Sequence, residues 1–167
     1  MRIALLTVSD RSSRGERPDS SGPVLERAVS EQGWQVSKKA VVPDELPRLT
    51  AILADWADGG DSDVILTIGG TGFAPRDVTP EATLAVIERQ APGLVEAMRA
   101  DSLKITPHAM LSRAVAGMRK RTLIINLPGS PKAALENFRV VAPVLEHAVQ
   151  LLREDPMAEA GHTMKGT

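Results

Sequence analysis

The 167-residue sequence predicts an α/β domain of three layers, a largely parallel sheet flanked by helices, with a β-hairpin added in its C-terminal half. Three observations predict this class. The apolar runs at residues 3–8 and 64–68 are continuous and partly β-branched, as in strands covered on both faces. Stretches with apolar residues three and four apart lie between the extended segments, so strand and helix alternate and right-handed crossovers follow. Glycines at 33 and at 59–60 stop the helical patterns before the next strand begins.

The elements follow in order. Ile3 to Val8 is a first strand, and a polar loop runs from Ser9 through Asp19. Val24, Leu25, Ala28, Val29 and Gln32 fall at helical spacing after a cap at Ser20 or Ser21. Gln35 to Val42 returns as a second strand. Leu46, Leu49, Ile52, Leu53 and Trp56 give an amphipathic helix over residues 45–58, and Val64 to Ile68 a third, buried strand. Helices near 80–90 and 93–104 come next, the first with Thr79 as N-cap and Pro80 at the first helical position. Ala114 to Met118 and Thr122 to Asn126 read as a hairpin with Arg119-Lys120-Arg121 as its solvated tip. A last helix over 131–153 contains Pro143, where a kink or a break is expected. Residues 1–153 thus form one domain, and 154–167 a polar tail expected to be disordered.

Composition narrows the function. With 20 Lys+Arg against 21 Asp+Glu the net charge is -1, so no overall field draws nucleic acid or an anionic membrane, and any phosphate must be held locally. Aromatic residues make up 2% of the chain and there is no Tyr, which leaves almost nothing for a base-stacking platform. The absence of Cys excludes disulfides, thiolate metal sites and thiol nucleophiles. No stretch approaches the roughly 20 apolar residues of a membrane span, and the cytoplasm is the expected location.

Open parallel sheets bind ligands beyond the carboxyl ends of their strands, which directs attention to loops 9–15, 43–45 and 69–79. Gly69-Gly70-Thr71-Gly72 would let backbone N–H groups approach an anion without Cβ obstruction, although a tight turn explains the same glycines. It is neither a P-loop nor a dinucleotide fingerprint, so ATP, if used, needs another device. The Thr79-Pro80 and Ser130-Pro131 pairs each start a helix at a strand end, and two helix N-termini there would suit several phosphates. Asp44 and Asp77 both follow strand ends, and paired carboxylates beside phosphates imply magnesium. Each also has a plainer reading, Asp44 as the N-cap of the following helix and Asp77 as a loop residue. His108, His147 and His162 show no metal spacing, and Met98, Met110 and Met118 read as core filler.

Taken together, Thr7-Val8-Ser9-Asp10-Arg11, Val42-Pro43-Asp44-Glu45, the stretch from Gly69 to Thr83, Leu111-Ser112-Arg113 and Asn126 to Lys132 resemble the Mog/MoaB family of molybdenum cofactor biosynthesis, in register from about residue 3 to residue 153. The resemblance implies a molybdopterin-binding α/β fold and a homotrimer. It also implies a nucleotidyltransferase that moves AMP from Mg-ATP to the terminal phosphate of molybdopterin and releases pyrophosphate. Asp44 and Asp77 match the family's essential acidic positions and would hold Mg2+. Gly69, Gly70, Thr71, Gly72 and Ser112, with Arg76 and Thr79, match the pterin side. Ser9, Asp10, Leu127, Pro128, Gly129, Ser130 and Lys132 match elements near the phosphates or the nucleotide. The partners so implied are molybdopterin, ATP and the molybdate-insertion protein. Three other readings stand beside this one: a non-catalytic MoaB-type pterin-binding protein, the longer molybdate-insertion proteins, for whose extra domains 167 residues leave no room, and proteins acting on nicotinamide nucleotides.

Overall fold

The computed structural model describes residues 1–156. In chain order the elements are β1 (Arg2–Val8), α1 (Asp10–Ser13), α2 (Gly22–Glu31), β2 (Gln35–Val42), α3 (Leu46–Asp58), β3 (Val64–Ile68) and α4 (Thr79–Val86). There follow β4 (Arg89–Gln90), α5 (Pro92–Leu103), a 3-10 turn at Pro107–Leu111, β5 (Ala116–Arg119), β6 (Thr122–Leu127) and α6 (Pro131–Leu152). The sheet order is β2-β1-β3-β6-β5-β4, with the first four strands parallel and the last two joined antiparallel.

The continuous apolar runs divide by parity, because successive side chains of a strand face opposite ways. Ile3, Leu5, Leu66, Ile68, Leu123, Ile125 and Leu127 share a cluster with Leu25 and Val29 of α2, Val95 and Met98 of α5, and Phe138, Val141 and Leu145 of α6. Ala4, Leu6, Val8, Ile65 and Ile124 point the other way, against Leu49 and Leu53 of α3 and Ala82 and Val86 of α4. Two half-cores on one sheet make the three layers expected, and all parallel strand ends finish on the same side.

Several local expectations are corrected. The loop after β1 contains α1, whose N-cap Ser9 accepts a hydrogen bond from the Ser12 N–H at 3.2 Å. At the start of α2 Ser21 holds the cap position, one of the two expected, but its side chain makes no cap bond; Asp19 instead receives the N–H groups of Ser21 and Gly22, both at 3.0 Å. Thr79 is the first residue of α4 and caps nothing, since the cap position is Val78 and no side chain bonds there. That helix ends at Val86 instead of reaching residue 90, because Ile87 turns extended (φ -73°, ψ 145°) and leads into edge strand β4. The β5–β6 hairpin is present, but β6 is also the inner strand paired with β3. α6 runs unbroken past Pro143, which is exposed, so the carbonyl left without its partner N–H can turn to water. At the end of α6 the N–H groups of Glu154 and Asp155 still bond to Leu151 and Gln150, and residues 157–167 of the expected tail lie outside the described residues.

Candidate functional site

The carboxyl ends of β1, β2, β3 and β6 release their chains side by side. Ser9 N–H reaches the Val42 carbonyl at 2.9 Å, and Gly69 N–H reaches the Leu127 carbonyl at 3.0 Å, so the four exit loops are tied in pairs. Between them lies a cleft of about 410 Å³, whose rim includes Ser9, Asp44, Gly69, Gly70, Asp77, Gly129 and Ser130.

Asp10 and Asp44 bind each other reciprocally. The Asp10 N–H donates to Asp44 Oδ2 at 2.9 Å and the Asp44 N–H to Asp10 Oδ1 at 3.1 Å. Asp44 therefore spends one oxygen on the neighbouring loop, and the cap position of α3 falls to Glu45, without a side-chain bond. Arg76 grips the Asp10 carboxylate with two bonds, Nε to Oδ2 at 2.9 Å and Nη2 to Oδ1 at 2.7 Å. That guanidinium holds the Asp10 carboxyl below the usual range. Asp44 moves the opposite way: burial pushes it up, and the nearby charges of Asp10 and Asp77 add to the push.

Backbone conformation explains two of the glycines. Gly69 has φ +106°, and a Cβ there would come within 2.5 Å of the Val8 carbonyl oxygen. Gly70 has φ +64°, and its Cβ would sit 2.3 Å from Thr79 Oγ1 and 2.9 Å from Asp44 Oδ1. Both positions favour glycine for conformation and for space. Beneath Gly70, the buried hydroxyl of Thr79 has no hydrogen-bond partner among the described residues, while its N–H holds the Gly70 carbonyl at 3.1 Å.

The remaining candidates divide. Thr71, Gly72, Ser112 and Pro128 line a second, mostly apolar pocket of about 290 Å³ on the far side of the glycine loop. Asp77 turns its side chain back to the Ala74 N–H at 3.0 Å. The side chain of Leu127 is wholly buried in the core and lines neither pocket; its carbonyl holds the Gly69 N–H. Ser130 caps α6 by accepting from the Ala133 N–H at 3.3 Å. Lys132 is largely exposed and stands 3.8 Å from Glu136. Among the described residues, no group of three or more His, Cys, Asp or Glu forms a ready-made metal cage.

Arg113, quoted only as part of a motif, proves to organise the loop. Its Nε donates to the Gly72 carbonyl at 2.7 Å, its Nη2 to the Asp77 carbonyl, and its Nη1 pairs with Glu81. Its own N–H bonds to the Thr71 carbonyl at 2.9 Å. One guanidinium thus spans both ends of the segment that carries Arg76 and Asp77. The sequence signal was a basic residue next to Ser112, but a partner some forty positions away is not written in spacing. Asp19, which no motif singles out, accepts the Thr7 hydroxyl at 2.8 Å as well as the N–H groups at the start of α2, and it lines the cleft.

The family described as "Probable molybdopterin binding domain" matches residues 4–147. The chain belongs to that family. The chain is 44% identical to gephyrin of Dictyostelium discoideum over 164 residues, 92% of the chain but 23% of the relative, so it spans about a quarter of that protein. It is 40% identical to the molybdopterin adenylyltransferase of Helicobacter pylori, with 91% of the chain and 88% of the relative covered. Among solved structures, the molybdopterin biosynthesis enzyme MoaB of Thermus thermophilus superposes with a TM-score of 0.87 at 50% identity, covering 93% of this domain and 98% of that chain.

Proposed function

We propose that the protein is a molybdopterin adenylyltransferase, which transfers AMP from Mg-ATP to the terminal phosphate of molybdopterin and releases pyrophosphate. The observation that carries the reading is the convergence of Asp44 and Asp77 with the Gly69–Gly70 turn and the Ser130-capped start of α6 on one cleft. The likeness to relatives named for this activity supports it.

The molybdopterin phosphate is already an anionic nucleophile, so the chain needs no general base, and positioning and charge control carry the catalysis. The N-terminus of α6 offers backbone N–H groups and a partial positive charge to a phosphate. Gly69 and Gly70 let the phosphates approach the strand ends closely. Arg113 holds the loop so that Asp77 stays opposite Asp44. The residues present fit magnesium: two carboxylates edge one cleft, burial and then the charges of Asp10 and Asp77 push the Asp44 carboxyl up, and Mg2+ commonly takes one or two protein carboxylates and completes its shell with substrate phosphates and water. Bound there, the ion supplies charge neutralisation for the triphosphate and the departing pyrophosphate.

The reading extends to a cytoplasmic homotrimer that hands its product to the molybdate-insertion protein. Exposed Leu103 and Met110, which lie outside both pockets, supply apolar surface suited to an interface between copies. The test is incubation with molybdopterin, ATP and magnesium. Adenylylated pterin and stoichiometric pyrophosphate are expected. Tight molybdopterin binding without AMP transfer overturns the enzyme and leaves a binding protein.

A further inference from the structure

The molecule has two adjoining chambers of opposite character, and they share one wall. Gly69, Gly70, Gly129 and Ser130 edge the polar cleft. Their chain neighbours Thr71, Gly72 and Pro128 edge the apolar pocket. The cleft, with Asp19, Asp44 and Asp77 on its rim, suits phosphates and a cation and offers little for a flat ring to lie against. The pocket offers Val95, Met98, Ile105 and Leu111, and among its lining residues it has a single carboxylate, Glu136 of α6.

The polar groups around Glu136 are already committed. The Asn137 amide donates to Ser102 Oγ at 3.1 Å and to the Ala133 carbonyl at 2.9 Å. Arg99 donates to the Ser112 carbonyl at 3.1 Å. Among the described residues Glu136 has only Lys132 at 3.8 Å, a long pair whose lysine is 79% exposed, and such pairs contribute little. An anionic fork at the edge of an apolar slot therefore lacks a close partner among the described residues.

The geometry points to Glu136 as the residue that reads the 2-amino-4-oxopyrimidine edge of the pterin, with the ring in the apolar pocket and the phosphate reaching past Gly72 into the cleft. This rests on the molybdopterin reading of the glycine-loop site. The pyrimidine edge places two N–H donors, the 2-amino group and N3–H, side by side. A carboxylate accepts both in parallel, as it does from arginine, and bonds of this kind to a charged acceptor are about twice as strong as neutral ones. Glu136 would then set specificity for the amino-pyrimidinone, while catalysis stays with the cleft.

The test measures molybdopterin binding directly, by fluorescence quenching, for wild type and Glu136→Gln, with circular dichroism confirming the fold. Pterin and lumazine, whose 2-amino group is replaced by oxygen, serve as competitors. Glu136→Gln is expected to weaken molybdopterin about tenfold or more, to erase a preference of pterin over lumazine, and to leave the KM for ATP unchanged. Wild-type affinity in a folded Glu136→Gln variant, or a retained pterin preference, overturns the assignment. Should that variant not fold, Ala133→Phe on the same wall is expected to block binding, and normal affinity there overturns it as well. Binding without AMP transfer in wild type would refute only the adenylyltransferase reading, because the competition still reports on Glu136. No molybdopterin binding by wild type overturns both.

Discussion

Asp44 is destabilised by the arrangement that makes it useful. Its ionised form is disfavoured by burial and by the charges of Asp10 and Asp77, so its folded pKa lies above the unfolded one. For an acid this sign means that the folded state loses stability as pH rises through that interval and the carboxyl ionises. Asp44→Asn is therefore expected to leave the melting temperature of the ligand-free protein at pH 7 unchanged or higher. AMP transfer should fall at least about a hundredfold, comparable with the loss of one charge-stabilising donor. Asp77→Asn should lose AMP transfer alike while still binding molybdopterin, and either variant at wild-type turnover with magnesium would refute the assigned mechanism. Gly70→Ala tests the turn beside them: with φ +64° and Thr79 Oγ1 2.3 Å from the new Cβ, loss of activity and a lower melting temperature are expected together. The sequence could name Asp44, Asp77 and the glycines as residue types suited to phosphate and metal. It could not show Asp10 and Asp44 bonded to one another, since two loops 34 positions apart meet only when β1 and β2 pair in register. The same reason hid Arg113, whose partners Gly72 and Glu81 come from another loop and another helix.

Helices and strands were legible wherever burial set the period. The runs at β1 and β3 are apolar at every position because both faces are covered, and α3 and α6 show their stripes because one face is wet. Short elements escaped because tertiary contacts decide them. The two-residue β4 exists by pairing Arg89 and Gln90 with Met118 and Gly117, and the four-residue α1 by its Ser9 cap. Pro143 shows the limit of a local rule. The stripe Phe138, Val141, Ala142, Leu145 and Val149 keeps α6 on the sheet, and the packing outweighs one missing hydrogen bond. Pro143→Ala should restore that bond at an exposed position and raise stability by on the order of 1 kcal/mol, read as a higher urea midpoint at unchanged slope. An unchanged or lower midpoint would mean that the helix is locally adapted to the ring.

At the scale of the whole molecule, Asp63 fastens the end of the sheet opposite the cleft. Its buried carboxylate accepts from the Arg2 N–H at 2.7 Å and the Arg2 guanidinium at 3.0 Å, and also pairs with Arg153 after α6, so it joins the first strand, the third and the last helix. Burial pushes its pKa up, but the Arg2 bonds and the Arg153 charge pull harder, and the net result lies below the usual carboxylate range. The stability so gained is present above about pH 4, the ordinary carboxylate value, and is lost as pH falls through the lowered folded value. Denaturant midpoints between pH 6 and pH 3 should therefore fall less steeply for Asp63→Asn than for wild type. At pH 7 the variant should be less stable by on the order of 1–3 kcal/mol, and parallel curves would remove Asp63 from the acid response. The position of β6 between β3 and β5 bears on how the chain is born. On a ribosome, β1, β2 and β3 emerge first and can pair among themselves, but the other edge of β3, Val-Ile-Leu-Thr-Ile, stays bare until residues 122–127 appear. For about a third of synthesis, from residue 68 to residue 127, the nascent protein thus carries an unpaired apolar edge of the kind that templates aggregation. Chains stalled before residue 120 should depend on chaperones for solubility, and chains long enough to free β6 from the exit tunnel should not.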